Sequence, residues 1–141
     1  MMISVEDALK LIESNCFGLA PVVQSLANST GLILAEDISS PINMPPFRQS
    51  AMDGYALNFQ EDIKEYKMIG EIAAGSGQKF SLKTGEAVRI FTGSAVPDSA
   101  NTVIQQELVA RTENQIKLTT DFHIDQNIRK VGEQIKEALT D

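Results

Sequence analysis

The chain carries one cysteine, Cys16, and one histidine, His123. A single thiol excludes an internal disulfide and a thiolate metal cluster. One imidazole beside one thiol leaves zinc without its usual ligand set. Long apolar runs are missing as well: nothing approaches the ~20 residues that a bilayer-spanning helix needs. The start, Met1-Met2-Ile3-Ser4-Val5-Glu6-Asp7, has neither the basic opening nor the apolar stretch of a signal peptide. No membrane partner is expected, and the cytoplasm is the expected location. Gathered positive charge is also lacking. The 12 Lys and Arg are scattered among 19 Asp and Glu for a net charge of −7, whereas a nucleic-acid surface needs clustered cations to displace counterions. No nucleic-acid partner is expected. The Gly-x-x-x-x-Gly-Lys-Ser/Thr and Gly-x-Gly-x-x-Gly nucleotide loops do not occur, nor does the Gly-x-Ser-x-Gly nucleophile elbow. The one Gly-x-Gly, Gly75-Ser76-Gly77, reads as a turn. A Ser-His-Asp triad would have to use His123, which stands near Asp121 and Asp125 in a polar segment and reads as a solvated surface residue.

What is present is an ordinary globular balance, 43% hydrophobic and 22% charged over 141 residues, enough for one domain or two small subdomains. Val5, Ala8, Leu9 and Ile12 recur at helical spacing. Ser4 is placed to cap that helix, with Asp7 three residues later. Residues 22–26 are apolar and β-branched and read as a short strand, followed by a turn or brief helical turn at 28–31. Ser39-Ser40-Pro41-Ile42-Asn43-Met44-Pro45-Pro46 reads as a stiff hinge between subdomains. From 54 to 120, short apolar runs alternate with Gly, Pro, Asn and Asp. Strands are expected at 66–74, 87–91, 102–109 and 115–119, with Arg89 facing away from Val88 and Ile90. Many short strands without long helices imply a compact barrel or sandwich.

Two segments carry chemistry. In Pro45-Pro46-Phe47-Arg48-Gln49-Ser50-Ala51-Met52-Asp53-Gly54-Tyr55-Ala56-Leu57 the prolines restrict the backbone. Asp53-Gly54 then predicts a tight turn with positive φ. The result is a carboxylate on a rigid bend with Phe47 and Tyr55 behind it, the support that working groups need. A plain Asp-Gly turn before a strand is the alternative. In the second segment, 85–97, a strand ends in Thr92-Gly93-Ser94. Backbone N–H groups there predict an anion nest, with hydroxyls from Thr92 and Ser94 and charge from Arg89. The alternatives are a loop of small polar residues and an Arg89 that lies on a sheet face. Mg²⁺ needs only one or two carboxylates besides substrate phosphates and water. Asp53, Glu107, Glu86 and Glu71 are candidates, and spacing alone does not choose among them.

These segments, in this order, resemble the N-terminal part of the molybdopterin molybdenumtransferase family, the MoeA-like proteins, which include the E domain of gephyrin. The resemblance rests on Pro45-Pro46-Phe47 through Ser50-Ala51-Met52-Asp53-Gly54-Tyr55-Ala56; on Gly70-Glu71-Ile72-Ala73-Ala74-Gly75; on Gly85-Glu86-Ala87-Val88-Arg89-Ile90-Phe91-Thr92-Gly93 with Val96-Pro97; and on Asn127-Ile128-Arg129 with Gly132-Glu133. Leu34-Ala35-Glu36-Asp37 fits more weakly. The resemblance implies insertion of molybdenum from molybdate into adenylylated molybdopterin with release of AMP. It also implies a requirement for a divalent cation such as Mg²⁺, and an elongated homodimer whose active cleft draws on both subunits. It places Asp53 and Thr92 at that cleft, as catalytic positions. Ser50, Gly54, Arg89, Gly93 and Ser94, from the same two strings, are the candidate substrate-binding positions. Asp53 and Glu107 are the candidate metal ligands.

The departures are Arg48-Gln49, where the family has an acidic residue and Asn, and Ala100-Asn101, where it has Ala-Asp. The later molybdopterin-binding domain of the family has no counterpart in these residues, so no turnover is expected from them alone. The expected fold is α+β: an N-terminal helix-containing α/β subdomain from 1–43 with 124–141, and a mainly β, barrel-like subdomain from 44–123. The rival readings are a non-catalytic dimerisation or scaffold module, and a small-anion binder.

Overall fold

The computed structural model describes residues 3–138, which separate into two compact units, Met1–Ile38 and Ser39–Asp141. No helix among the described residues is long and apolar enough to cross a membrane.

In the first unit, α1 spans Val5–Asn15. Ser4 caps it as the spacing predicts: its Oγ accepts the Asp7 N–H at 3.1 Å and donates to the Asp7 carboxylate at 2.8 Å. Glu6 and Asp7 place negative charge at the positive end of the helix dipole. The expected strand at 22–26 does not form. Residues 22–25 have no ladder partner among the described residues, and Leu26–Asn28 is a single 3₁₀ turn. β-branched side chains favour extended backbone, but a strand is stabilised by a neighbour, and Val23 is fully exposed. No described residue of this unit is buried. Val5, Leu9 and Ile12 on the helix, and Leu19, Leu26 and Ile33 beyond it, are each more than half exposed.

The second unit contains β1 (Gln49–Ser50), β2 (Gly54–Leu57), β3 (Glu65–Ile72), β4 (Glu86–Ile90), β5 (Thr102–Gln105), β6 (Val109–Arg111), β7 (Gln115–Leu118) and β8 (Ile128–Arg129). Six of these form one sheet in the order β5-β2-β4-β3-β7-β6, and β1 pairs with β8. The sheet is mixed: β3 and β4 run parallel, and all other neighbours are antiparallel.

The single strand expected at 102–109 is two strands joined by a 3₁₀ turn, Gln106–Leu108. That break shapes the molecule, because β5 and β6 are the opposite edges of the sheet. Laid flat, five spacings of ~4.8 Å would hold them about 24 Å apart. The four links from Gln105 to Val109 reach about 14 Å at most. The sheet therefore curls into a half-barrel. Alternation along the strands divides the core in two. Tyr55, Leu57, Ala87 and Ile104 pack on one face of the curl, and Ala56, Val88, Ile90 and Val103 on the other. Residues 128–138 return to the start of this unit. There β8 pairs with β1, and the Met44 and Ala138 N–H groups bond the Ile135 and Ser40 carbonyls.

Candidate active site

β2 is antiparallel to both neighbours, so its first residue stands beside the last residues of both: Gly54 is opposite Ile90 of β4 and Gln105 of β5. Asp53 precedes β2, Thr92 follows β4, and Gln106 and Glu107 follow β5. Three stretches remote in sequence thus meet at one end of the sheet. Gly54 makes this possible, though not through the positive φ expected of it. Its backbone is not left-handed. A Cβ there would lie 1.9 Å from the Ile104 carbonyl oxygen, so the residue is required by the close approach of β5. The left-handed glycine here is Gly93, at φ 86°, which turns the chain out of β4.

Asp53 and Thr92 are directly bonded. The Thr92 N–H and hydroxyl both donate to Asp53 Oδ1, at 2.8 and 2.7 Å. The expected anion nest at 92–94 is not available to a ligand, because each of its N–H groups has an internal acceptor. Gly93 bonds the Ser50 carbonyl at 2.9 Å and Ser94 bonds the Phe91 carbonyl at 3.0 Å. The anion that this loop holds is the carboxylate of Asp53. The two Thr92 bonds, with the Arg89 charge as a lesser cause, keep that carboxyl below its ordinary range, although the residue is exposed.

Arg89 is a framework cation. Its Nη1 donates to the Gly54 carbonyl at 3.1 Å and its Nη2 to Gln106 Oε1. Its guanidinium lies over the Tyr55 and Phe91 rings, 5.1 and 4.9 Å from their centroids, a cation–π arrangement. Gln106 extends the chain of contacts, with Nε2 donating to Glu107 Oε1 at 2.9 Å and its main-chain N–H to the Asp53 carbonyl at 3.1 Å. The Gln106 bond, then the residue's own backbone N–H and the Arg89 charge, lower the Glu107 carboxyl, while the Asp53 charge pushes it the other way.

The remaining candidates lie behind or away from this cluster. Ser50 and Ser94 are buried, their hydroxyls donating to the Met52 carbonyl at 2.6 Å and the Ile72 carbonyl at 3.3 Å. Glu86 is at the other end of β4, where it accepts the Lys83 N–H at 2.9 Å. Glu71 sits on β3, opposite Arg89 in register. The two sequence departures have structural uses. Arg48 donates to the Ala100 carbonyl at 2.9 Å and Gln49 to the Gly93 carbonyl at 3.2 Å. Asn101 Oδ1 accepts the Phe59 N–H, tying the residue before β5 to the loop that follows β2. Gln106 is the residue that sequence reasoning passed over. Its signal is the polar triplet Gln105-Gln106-Glu107 directly after the apolar run Val103-Ile104, which marks a strand end rather than a continuing strand.

Outward from this cluster, Asp53 Oδ2 and Glu107 Oε2 receive no side-chain hydrogen bond among the described residues. The Thr92 hydroxyl hydrogen is directed at Asp53, which leaves the oxygen lone pairs as acceptors. The exposed groups are therefore acceptors, suited to a hard cation or to donor groups of a ligand.

The family model described as "MoeA N-terminal region (domain I and II)" matches residues 3–139. A molybdopterin molybdenumtransferase of Haemophilus influenzae is 34% identical over 97% of this chain and 35% of its own length. One of Staphylococcus epidermidis is 32% identical over 95% of this chain and 34% of its own length. The crystal structure of a molybdopterin biosynthesis moeA protein from Pyrococcus horikoshii OT3 superimposes with a TM-score of 0.80 at 31% identity, covering 99% of this chain and 39% of that one. The chain thus spans about a third of the length of the curated relatives it matches.

Proposed function

The chain belongs to the family of the MoeA N-terminal region, and on that premise we propose that it serves molybdenum cofactor biosynthesis as the N-terminal part of a molybdopterin molybdenumtransferase. In this reading molybdenum passes from molybdate into adenylylated molybdopterin and AMP is released. The observation that carries it is the Asp53–Thr92 contact. Two residues 39 positions apart are locked together by two hydrogen bonds at an exposed strand end, where they hold an ionised carboxylate and contribute nothing to either core.

The family's divalent cation fits these residues. Asp53 and Glu107 are both exposed, both held ionised, and each has an oxygen that takes no side-chain hydrogen bond among the described residues. No group of three or more such ligands exists among the described residues, so substrate oxygens and water would complete the shell, as Mg²⁺ commonly accepts. When bound, the cation would neutralise phosphate charge. The chain's own residues then have distinct tasks. Thr92 fixes the orientation of Asp53. Asp53 Oδ2 and Glu107 Oε2 receive the cation or a donor group, and Arg89 holds the ends of β2 and β5 in place.

The test joins residues 1–141 to the later two thirds of a relative and assays cofactor formation. Asp53→Ala should lower turnover by about 10²-fold or more, with the circular dichroism spectrum unchanged. Undiminished turnover would end the reading. The 141-residue chain alone should form no cofactor.

A homodimer is the second part of the proposal, favoured by the first unit. A stretch of 38 residues is too short to enclose a core without help, and none of its described residues is buried. Residues 19–35 surround an open hollow of about 900 Å³ lined by Leu19, Val22, Leu32, Ile33 and Leu34. We assign this apolar surface to a second copy of the chain. Sedimentation at tens of micromolar should give a dimer that Ile33→Asp weakens; a monomer for the unaltered chain would overturn the assignment.

A further inference from the structure

Gln106 makes three contacts with the candidate site, and each is of a different kind. Its main-chain N–H holds the Asp53 carbonyl, its Oε1 receives Arg89, and its Nε2 is given to Glu107. The orientation of its amide is forced. A guanidinium has only donors and a carboxylate only acceptors, so the oxygen must face Arg89 and the nitrogen Glu107. Arg89 is itself immobilised by the Gly54 carbonyl and by the Tyr55 and Phe91 rings. Glu107, by contrast, is exposed and lies within the 3₁₀ turn. Apart from its own backbone N–H, Gln106 is the one donor that the described residues offer its carboxylate.

We propose that Gln106 is the positioning residue of this site. It transmits the fixed orientation of Arg89 to the Glu107 carboxylate, and so sets Glu107 at a constant bearing to Asp53. The inference rests on the reading that Asp53 and Glu107 act together. It assigns Gln106 no contact with substrate. An amide suits the task because, at this reach, it offers an acceptor to the cation and a donor to the anion at once. A carboxylate in its place would keep the Arg89 contact but repel Glu107. An alkyl side chain would lose both.

NMR of the 141-residue chain reads the bearing of Glu107 directly, from its side-chain three-bond couplings and without any use of turnover. The unaltered chain should show one Glu107 rotamer, with contacts between the Gln106 side-chain amide and Glu107. Gln106→Leu should average the Glu107 couplings toward those of a free side chain while Asp53, still bonded to Thr92, keeps a single rotamer. A folded Gln106→Leu chain in which Glu107 keeps its one rotamer would overturn the proposal. Should that variant not fold, the unaltered chain suffices: a Glu107 already averaged over its rotamers there would equally overturn the proposal. The functional reading fails separately, through undiminished turnover of Asp53→Ala.

Discussion

Leu26 and Leu57 are the same side chain in the two units of one molecule, one 90% exposed and the other wholly buried. The contrast holds throughout. The first unit is built from local devices: a capped helix, a 3₁₀ turn, and hydroxyls bonded to carbonyls three residues away. The second is built from non-local pairing, with β2 flanked by strands that lie some 30 and 50 residues further along the chain. Local devices shape a backbone without burying anything. Among the described residues, buried apolar side chains occur in the second unit alone, and it is there that the Asp53 carboxylate is held in place by a group remote in sequence. A site that needs fixed geometry therefore sits on the second unit, and a surface that needs a partner sits on the first.

The sharpest way to break this comparison is by truncation. Leu57→Ala should cost about 2–5 kcal/mol in urea unfolding, because it opens a cavity among Tyr55, Tyr66 and Ile104. Leu26→Ala, measured at a dilution where only monomer is present, should change stability by about 0.5 kcal/mol or less. Equal losses would show that the first unit has a core of its own. Gly54→Ala comes next. Its methyl would be driven into the Ile104 carbonyl, at a cost of about 1–3 kcal/mol or more, and crosspeaks of Asp53 and Gln106 should move together in a heteronuclear spectrum. The smallest effect is expected from Thr92→Val. It should leave the fold intact and raise the Asp53 carboxyl toward its ordinary value of 3.8. The sign follows from linkage. A folded-state pKa below 3.8 makes ionised Asp53 favour folding above that pH, and the contribution disappears as pH falls through the lowered value. Thr92→Val should therefore flatten the acid limb of the stability curve just below pH 3.8, which acid titration by circular dichroism measures.

Much of this architecture is legible in the residues. Ser4 and Asp7 announce the helix because a cap is a local interaction. The alternation Ala87-Val88-Arg89-Ile90 announces β4 and the facing of Arg89, because a sheet with two packed faces enforces a period of two. Residues 22–26 misled because β-branching speaks for extended backbone and is silent on whether a partner strand exists. The run 102–109 misled for a related reason: its composition is continuous, and the need to cross from one sheet edge to the other is a property of topology. At the site, Asp53 and Thr92 were nameable from their motifs. Gly54 was correctly marked as special but for the wrong cause, since the closeness of Ile104 is invisible along the chain. The supposed nest at 92–94 is closed, and nothing in Thr92-Gly93-Ser94 reveals that its N–H groups are already taken by the Asp53 carboxylate, 39 positions earlier, and by the Ser50 and Phe91 carbonyls.

The 3₁₀ turn Gln106–Leu108 is the seam of the half-barrel, and Gln106 and Glu107 stand on it. Until β5 pairs with β2, Asp53 has no Gln106 to meet and Glu107 has no fixed neighbour. A chain caught partway to its native state would therefore present no paired carboxylates, whatever helix or hairpin it had already formed. Pairing of the two acids is in this way coupled to completion of the sheet, with no separate sensor required.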